Sequence, residues 1–247
     1  MDSTVLAQDE GIRGGRAPAS IYADGTYLRN NPDWHSDDSP WKARHIHALL
    51  ERNGVAPRTV CEVGCGAGEI LRNLAKLMAP GTRFHGYEIS PDAYRLCEGK
   101  SGGAFEFRLG NLLEEDRYFD VAMAIDVFEH VEDYFGFLRK LRTKARYKVF
   151  HIPLDLSALS VARGKPLTHM WRSVGHIHQF TRETALAALE DTGYKVLDHR
   201  YTSGRTELGH LGWKTRLLKG PRRLLYALAP DLAVRLLGGY SLLVLAE

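Results

Sequence analysis

The sequence predicts an α/β fold, with a mostly parallel sheet and helices on both of its faces. A short apolar strand at residues 60–63 leads directly into a glycine-rich turn and then into a helix. Further apolar runs alternate with segments whose apolar residues recur at helical spacing, as expected for parallel strands joined by crossover helices. The run 118–126 is apolar almost throughout, which is typical of a strand covered on both faces.

The remaining elements follow in the order that this fold requires. The helix start signals are Ser39-Pro40, Ser90-Pro91 and Thr181, each a good N-cap residue for the apolar periodic segment after it. Pro153 is expected to stop the fifth strand. The strands predicted after the first are 83–87, 105–109, 118–126, 147–152, 194–201 and 240–245.

Length and composition indicate an ordinary globular protein. The 247 residues suit one sizeable domain with embellishments. The net charge of +3 is too small to indicate a nucleic-acid partner for the whole chain. Three cysteines without a C-x-x-C pair indicate free thiols in a reducing compartment. No signal-peptide core and no membrane-spanning apolar run is visible, so we expect a cytoplasmic location.

The domain organisation is predicted from changes in regularity along the chain. Residues 1–38 are expected to form an N-terminal arm, in which the aromatic stretch 22–35 is either a packed loop or a lid over the active site. Residues 39–247 are expected to form a single domain. The less regular segments 154–178 and 203–239 are interpreted as insertions that cap the site or contact the substrate.

The glycine turn carries the main functional signal. Gly64, Gly66 and Gly68 suit a turn where the backbone passes close to a ligand or takes a positive φ. The sequence after Gly68 completes neither a dinucleotide fingerprint nor a phosphate loop. Glu62, just before the turn, would repel a pyrophosphate but attract a cation or an amine. The turn alone leaves open a simple strand-to-helix connection that binds nothing.

Two further strings strengthen the functional interpretation. The string E-V-G-C-G-A-G at residues 62–68 resembles motif I of the class I S-adenosylmethionine-dependent methyltransferases. D-x-x-E-H-x-x-D at 126–133 and G-H-x-H-x-F-T at 175–181 resemble the small-molecule subgroup of that family. The resemblance covers roughly residues 41–247. It implies a Rossmann-like, seven-stranded, mostly parallel sheet with an antiparallel last strand, and S-adenosylmethionine as cofactor, with S-adenosylhomocysteine as product.

The cofactor residues are predicted from strand ends. Glu88 ends the second strand about 20 residues after the glycine turn, where a ribose diol is bound in such folds. Asn111 follows the third strand, either as an adenine contact, which the resemblance implies, or as a turn-forming asparagine. The residues predicted to bind the cofactor are Glu62, Gly64, Cys65, Gly66, Gly68, Glu88, Ile89, Asn111, Leu112, Asp126 and Val127.

The predicted reaction is methyl transfer to an O or N atom of a small polar acceptor, such as a sugar, a nucleotide-sugar or a secondary metabolite. A hydroxyl acceptor would use a general base, and the candidates are His130, His178 and His176. His130 could instead only pack at the start of the next helix. We expect no metal, because His151, His169, His176 and His178 have no carboxylate or cysteine beside them at ligand spacing. Alternatives are a non-catalytic binding module or a methyltransferase acting on a macromolecule.

A basic segment at residues 205–236 is open to several interpretations. Its leucines and cationic residues predict one or two amphipathic helices that cap the sheet. A membrane-surface patch with weak contact, or a pocket for an acidic substrate, are the alternatives. Pro221 and Pro230 are expected to break the run, so one continuous helix is not predicted.

Overall fold

The computed structural model describes residues 36–207 and 213–247. The predicted lid at 22–35 and most of the predicted arm lie outside these residues. Of the arm, residues 36–38 form a single turn of 3-10 helix that leads into the first helix. In the described residues from 39 onward, strands are joined by one or more helices or short helical turns.

Seven strands and ten helices are labelled in chain order. The strands are β1 (Thr59–Val63), β2 (Arg83–Glu88), β3 (Phe105–Leu109), β4 (Phe119–Ile125), β5 (Ala145–Leu154), β6 (Val196–Thr202) and β7 (Tyr240–Ala246). The helices are α1 (Ser39–Arg52), α2 (Glu69–Ala75), α3 (Pro91–Cys97), α4 (Tyr134–Arg142), α5 (Ala158–Arg163), α6 (Lys165–His169), α7 (Arg182–Asp191), α8 (Gly204–Glu207), α9 (Trp213–Leu228) and α10 (Pro230–Leu237). A π-helical turn, Met170–Val174, follows α6.

The strands form one sheet in the order β3-β2-β1-β4-β5-β7-β6. The pairs from β3 to β5 are parallel, and β7 runs antiparallel to both β5 and β6. Strand β7 is therefore inserted between β5 and β6 in the reverse direction. This confirms the predicted seven-stranded sheet with an antiparallel last strand. The carboxyl ends of β1, β2, β4 and β5 meet at one edge, where ligands bind in such folds.

Both faces of the sheet are buried. Alternate residues of β4 point to opposite faces: Ala122 and Ala124 join the core beneath α4 and α7, whereas Val121 and Met123 join the core beneath α1 and α2. This two-sided burial explains why the central strands read as continuous apolar runs. The three cysteines are buried free thiols, as expected.

Three local predictions need correction. Strand β5 continues through Pro153 to Leu154, where it pairs with β7. The backbone hydrogen-bonding groups of residues 151 and 153 point towards β4, and β4 pairs with β5 only as far as His151. The missing N–H of Pro153 therefore costs the sheet no hydrogen bond. The N-cap of α1 is Asp38 rather than Ser39. Pro221 lies inside α9, whereas Pro230 begins α10, so only the second proline separates helices.

Candidate active site

A cavity of about 320 Å³ lies at the carboxyl edge of the sheet, and we call it the carboxyl-edge cavity. It is bounded by the glycine turn, by the start of α1, by the ends of β4 and β5, and by the π-helical turn. Side chains with ionisable groups are frequent in its wall. Those that line it are Asp38, Lys42, Glu62, Glu69, Asp126, His130, His151 and His176.

The glycine turn uses the conformational freedom of its glycines. Gly64, Gly66 and Gly68 all have positive φ, between 52° and 74°, which residues with a side chain rarely adopt. A Cβ on Gly68 would lie 2.6 Å from the ring of Phe107. The turn thus brings bare backbone to the cavity wall, and a larger residue could not be accommodated without a shift.

Glu88 is a structural part of this turn as well as a candidate ligand. One of its oxygens accepts a hydrogen bond from the Gly66 N–H (2.9 Å) and the other from the Ser90 N–H (2.8 Å). Its side chain is buried, which excludes a solvated strand-end glutamate. Burial raises the pKa of Glu88, and these two hydrogen bonds oppose that rise. The predicted ribose contact stays a prediction.

Glu62 is a buried carboxyl group without a full set of partners. Only 1% of the residue is exposed, and its Oε2 atom has no hydrogen-bond partner among the described residues. Burial raises the pKa of its carboxyl well above the usual range, and the charge of Lys42 offsets this only in part. Since Glu62 lines the carboxyl-edge cavity, it can receive a cationic or hydrogen-bond-donating group of a ligand.

Asp126 is held by two neighbours. Its carboxylate lies 2.8 Å from the Nζ atom of Lys42 and 2.6 Å from the Nδ1 atom of His151. The other ring nitrogen of His151 lies 2.9 Å from the Thr202 hydroxyl. Burial would raise the pKa of Asp126, but the adjacent His151 and Lys42 hold it well below its usual range. Asp126 has φ +55°, the sole positive φ of a residue other than glycine within the described ranges.

Lys42 was not identified from the sequence. It contacts Asp38 (3.0 Å) as well as Asp126. Burial opposes its charge, but these two carboxylates raise the pKa of Lys42 above its ordinary value. Nothing in the sequence distinguishes it from a solvent-facing helix lysine. Its role depends on the packing of α1 over the sheet.

Two of the three predicted catalytic histidines line the cavity. The Nδ1 atom of His130 lies 2.9 Å from the carbonyl oxygen of Gly175, and that of His176 lies 2.6 Å from a carboxylate oxygen of Asp155. Both acceptors lack a proton, so each Nδ1–H is the donor and a neutral ring carries its lone pair on Nε2. The two ring centroids are 4.9 Å apart.

His178 does not line the carboxyl-edge cavity. Its Nε2–H donates to the carbonyl oxygen of Glu132 (3.2 Å), and its ring packs against Tyr134. In an extended backbone, His176 and His178 would lie on the same face, because alternate residues of an extended chain point the same way. The chain instead turns tightly at Gly175, where the Ile177 N–H donates to the Gly175 carbonyl. This placement favours His176 over His178 as a residue that faces the acceptor.

The remaining predicted cofactor residues lie at strand ends. Asn111 caps the turn after β3, with its oxygen accepting from the Leu113 N–H and its NH₂ donating to Glu114, the turn-forming role that was the alternative. Leu112 is fully buried, whereas Ile89 is 68% exposed beside Glu88. Val127 packs over the turn, 3.0 Å from the position of a Cβ on Gly64. Cys65 is buried and lines the cavity.

Glu129 is a second buried carboxyl group near the cavity, and the sequence analysis does not select it. The residue is completely buried, and neither carboxylate oxygen has a hydrogen-bond partner among the residues that the structure covers. Burial and the charge of Asp126 raise the pKa of Glu129 well above its usual range. Its position inside the D-x-x-E-H-x-x-D string was the available signal.

Known proteins resemble this chain in sequence. A ubiquinone biosynthesis O-methyltransferase of Methylocella silvestris is 31% identical over 137 residues, which cover 45% of this chain and 54% of that protein. A norajmaline N-methyltransferase of Rauvolfia serpentina is 31% identical over 93 residues, covering 34% of this chain and 31% of that protein. The chain thus spans about half the length of the first relative and less of the second.

A solved structure resembles the fold of this chain, and a family model matches its sequence. Magnesium protoporphyrin IX methyltransferase from Synechocystis PCC 6803, with bound S-adenosylhomocysteine, matches with a TM-score of 0.56 at 18% identity, over 84% of this chain and 81% of that one. At this identity the likeness shows the fold alone. The family model described as a methyltransferase domain matches residues 34–199, more than half of the chain. The chain therefore belongs to the methyltransferase domain family, and its predicted membership of the class I S-adenosylmethionine-dependent methyltransferases is confirmed.

Proposed function

We propose that this protein transfers a methyl group from S-adenosylmethionine to an O or N atom of a small polar organic acceptor. The observation that carries the proposal is the unpartnered, buried Oε2 atom of Glu62 beside the glycine turn. A buried carboxylate is stabilised by a cation, and S-adenosylmethionine carries an ammonium and a sulfonium but no phosphate. The Glu62 carboxyl therefore suits the positive charges of S-adenosylmethionine better than it suits the phosphates of a dinucleotide.

Different residues of the chain would bind different parts of the cofactor. Glu62 would hold the ammonium, the glycine turn would pass beneath the amino-acid portion, and Glu88 would bind the ribose hydroxyls. The exposed side chain of Ile89 offers an apolar surface for the adenine ring. When bound, the cofactor supplies an already activated methyl group. The protein then has to position the acceptor and keep water out.

The acceptor would enter from the side of the inserted segment 154–178. His130 and His176 present their Nε2 atoms there, where each can take a proton from an acceptor hydroxyl or hold a cation. Asp126 and Lys42 form an ion pair that lines the cavity with polar groups in fixed positions. Of the two relatives in sequence, one is an O-methyltransferase and the other an N-methyltransferase, which supports a small-molecule acceptor without choosing between oxygen and nitrogen.

Isothermal titration calorimetry with S-adenosylmethionine and with NAD tests the proposal directly. We expect S-adenosylmethionine to bind and NAD not to bind, and Gly66→Arg to abolish binding by filling the turn. A screen of candidate hydroxyl and amine acceptors, read by a mass increase of one methyl group, then separates an enzyme from a binding module. Absence of S-adenosylmethionine binding in the wild-type protein would refute the proposed function.

We further propose that residues 39–247 form a single domain. We also propose that the basic segment, residues 205–236, makes weak contact with membrane surfaces. Leu224 and Leu228 are 62% and 76% exposed on α9, close in sequence to Arg223, an arrangement that suits an anionic interface. No helix within the described part of the chain has the length and apolar character needed to span a membrane. Co-sedimentation with anionic and neutral vesicles tests the contact, and equal recovery with both would contradict it.

A further inference from the structure

Three side chains with metal-ligand chemistry converge beside the carboxyl-edge cavity. The candidate ligand atoms of Glu129, His130 and His176 all lie within 4.8 Å of one another. The shortest recorded separation is 3.9 Å, between a carboxylate oxygen of Glu129 and the Nε2 atom of His130. Ligands about 2.1 Å from a tetrahedral ion lie about 3.4 Å apart. Small side-chain rotations would therefore close this group around one ion.

Both histidine rings are oriented as metal ligands usually are. The Nδ1–H of His130 donates to the carbonyl oxygen of Gly175, and that of His176 donates to the carboxylate of Asp155. These hydrogen bonds fix the tautomer and direct the Nε2 lone pairs towards the group. A carboxylate or a carbonyl behind a ligating histidine is the common outer partner of protein metal sites.

The surroundings of Glu129 are an independent observation that points to a bound cation beside Glu129, His130 and His176. Its carboxylate is completely buried, and neither oxygen has a hydrogen-bond partner among residues 36–207 and 213–247 apart from the distant approach of His130. Burying an unpaired carboxylate costs several kcal/mol. A cation bound between Glu129 and the two imidazoles would remove that cost and satisfy all three groups at once.

We propose that Glu129, His130 and His176 bind one divalent transition-metal ion at the acceptor side of the carboxyl-edge cavity. Two imidazoles and one carboxylate suit Zn²⁺, Mn²⁺ or Fe²⁺ better than Mg²⁺ or Ca²⁺, which prefer oxygen ligands. The expectation that this chain has no metal site rested on ligand spacing along the sequence. It did not consider ligands drawn from the separate segments 129–130 and 175–176.

The location of the site gives it a role that rests on the proposed function. His130 and His176 line the cavity, so an open coordination position would face the acceptor. An acceptor hydroxyl bound there loses its proton to solvent more readily. Its oxygen then forms the bond to the methyl carbon as the carbon–sulfur bond breaks, and no oxidant or reductant is needed. In this arrangement the two imidazoles act as ligands rather than as general bases.

Metal binding can be measured without any methyl transfer. Untagged protein is freed of metal with a chelator and titrated with Co²⁺, followed by its visible absorption, and with Zn²⁺, followed by calorimetry. We expect one equivalent to bind to the wild-type protein and to the control variant His169→Ala, whose ring is exposed in the same inserted segment. Glu129→Gln and His176→Ala are expected to lose saturable binding.

A variant outside the ligand set keeps the test informative if a ligand variant fails to fold. Asp155→Asn leaves the three ligands in place and is expected to raise the dissociation constant for Zn²⁺ by roughly 10- to 100-fold. The metal proposal is overturned if the wild-type protein binds no stoichiometric metal, or if Glu129→Gln and His176→Ala bind it unchanged. Titration of the same preparations with S-adenosylmethionine shows independently whether the proposed function stands.

Discussion

Replacing Glu62 by glutamine is expected to weaken cofactor binding while it stabilises the unliganded protein. The substitution keeps the shape of the side chain and removes its charge. A hydrogen bond to a charged partner contributes about 1.5–3 kcal/mol. The dissociation constant for S-adenosylmethionine should therefore rise roughly 10- to 150-fold.

The opposite effect on stability follows from the burial of Glu62. Because its pKa is raised in the folded protein, folding favours the protonated carboxyl, and the stability it contributes is lost as the pH rises above the ordinary glutamate pKa of about 4.5. Glutamine has no such charge to bury. We therefore expect Glu62→Gln to have the higher melting temperature at neutral pH, with a difference that shrinks towards pH 4.

Calorimetry and thermal melting of the same preparations test both halves of this prediction. Glu51→Gln is a matched control, because the Glu51 side chain is 75% exposed and lies outside the carboxyl-edge cavity. Its dissociation constant and melting temperature should remain those of the wild type. A change of less than threefold in affinity for Glu62→Gln, with Gly66→Arg still abolishing binding, would refute the assignment of the ammonium to Glu62.

Three further predictions concern charge and packing. S-adenosylmethionine should displace a proton from the wild-type protein but not from Glu62→Gln, so that only the wild-type calorimetric enthalpy depends on the ionisation enthalpy of the buffer. Lys42→Met should lower the free energy of unfolding by about 1–3 kcal/mol at neutral pH, since it removes the cation beside Asp38 and leaves Asp126 with His151 as its remaining partner. The loss should shrink in acid as Asp126, whose pKa is held below its usual range partly by Lys42, takes up a proton, and an equal loss at pH 7 and pH 3 in urea titrations would contradict the pairing. Gly86→Ala should cost about 1–3 kcal/mol, because its Cβ would lie 2.5 Å from Phe107 and 2.7 Å from Cys65, whereas Gly110→Ala meets nothing within 4 Å and should melt almost as the wild type does.

The fold and the glycine turn of the candidate site could be predicted because their signals are local. A backbone position with positive φ favours glycine, so a turn such as the one at Gly66 is visible in the sequence at that position. The same holds for Thr181, which begins α7 with the capping pattern expected of it. Even the position of Glu88 follows from strand order and spacing, since parallel neighbours end at the same edge.

The acceptor side could not be predicted because its residues act across long separations. Lys42 has the sequence context of a surface lysine, and only the packing of α1 brings it to Asp126. Asp155 and His176 meet because the inserted segment folds back over the end of β5. A tight turn at Gly175 then separates two histidines that an extended chain would have placed together. None of these contacts, nor this turn, can be recognised from a short stretch of sequence.

The buried carboxylates around the cavity show how the protein distributes charge. Asp126 is fully compensated within the chain, by Lys42 and His151. Glu62 and Glu129 are more deeply buried than Asp126, whose side chain is 25% exposed, yet each retains oxygen atoms without partners in the described structure. Burial that served stability alone would have compensated all three or replaced them with apolar residues. The unpartnered oxygens of Glu62 and Glu129 therefore support the two proposed cation positions, one for the cofactor at the glycine turn and one for a metal ion beside His130 and His176.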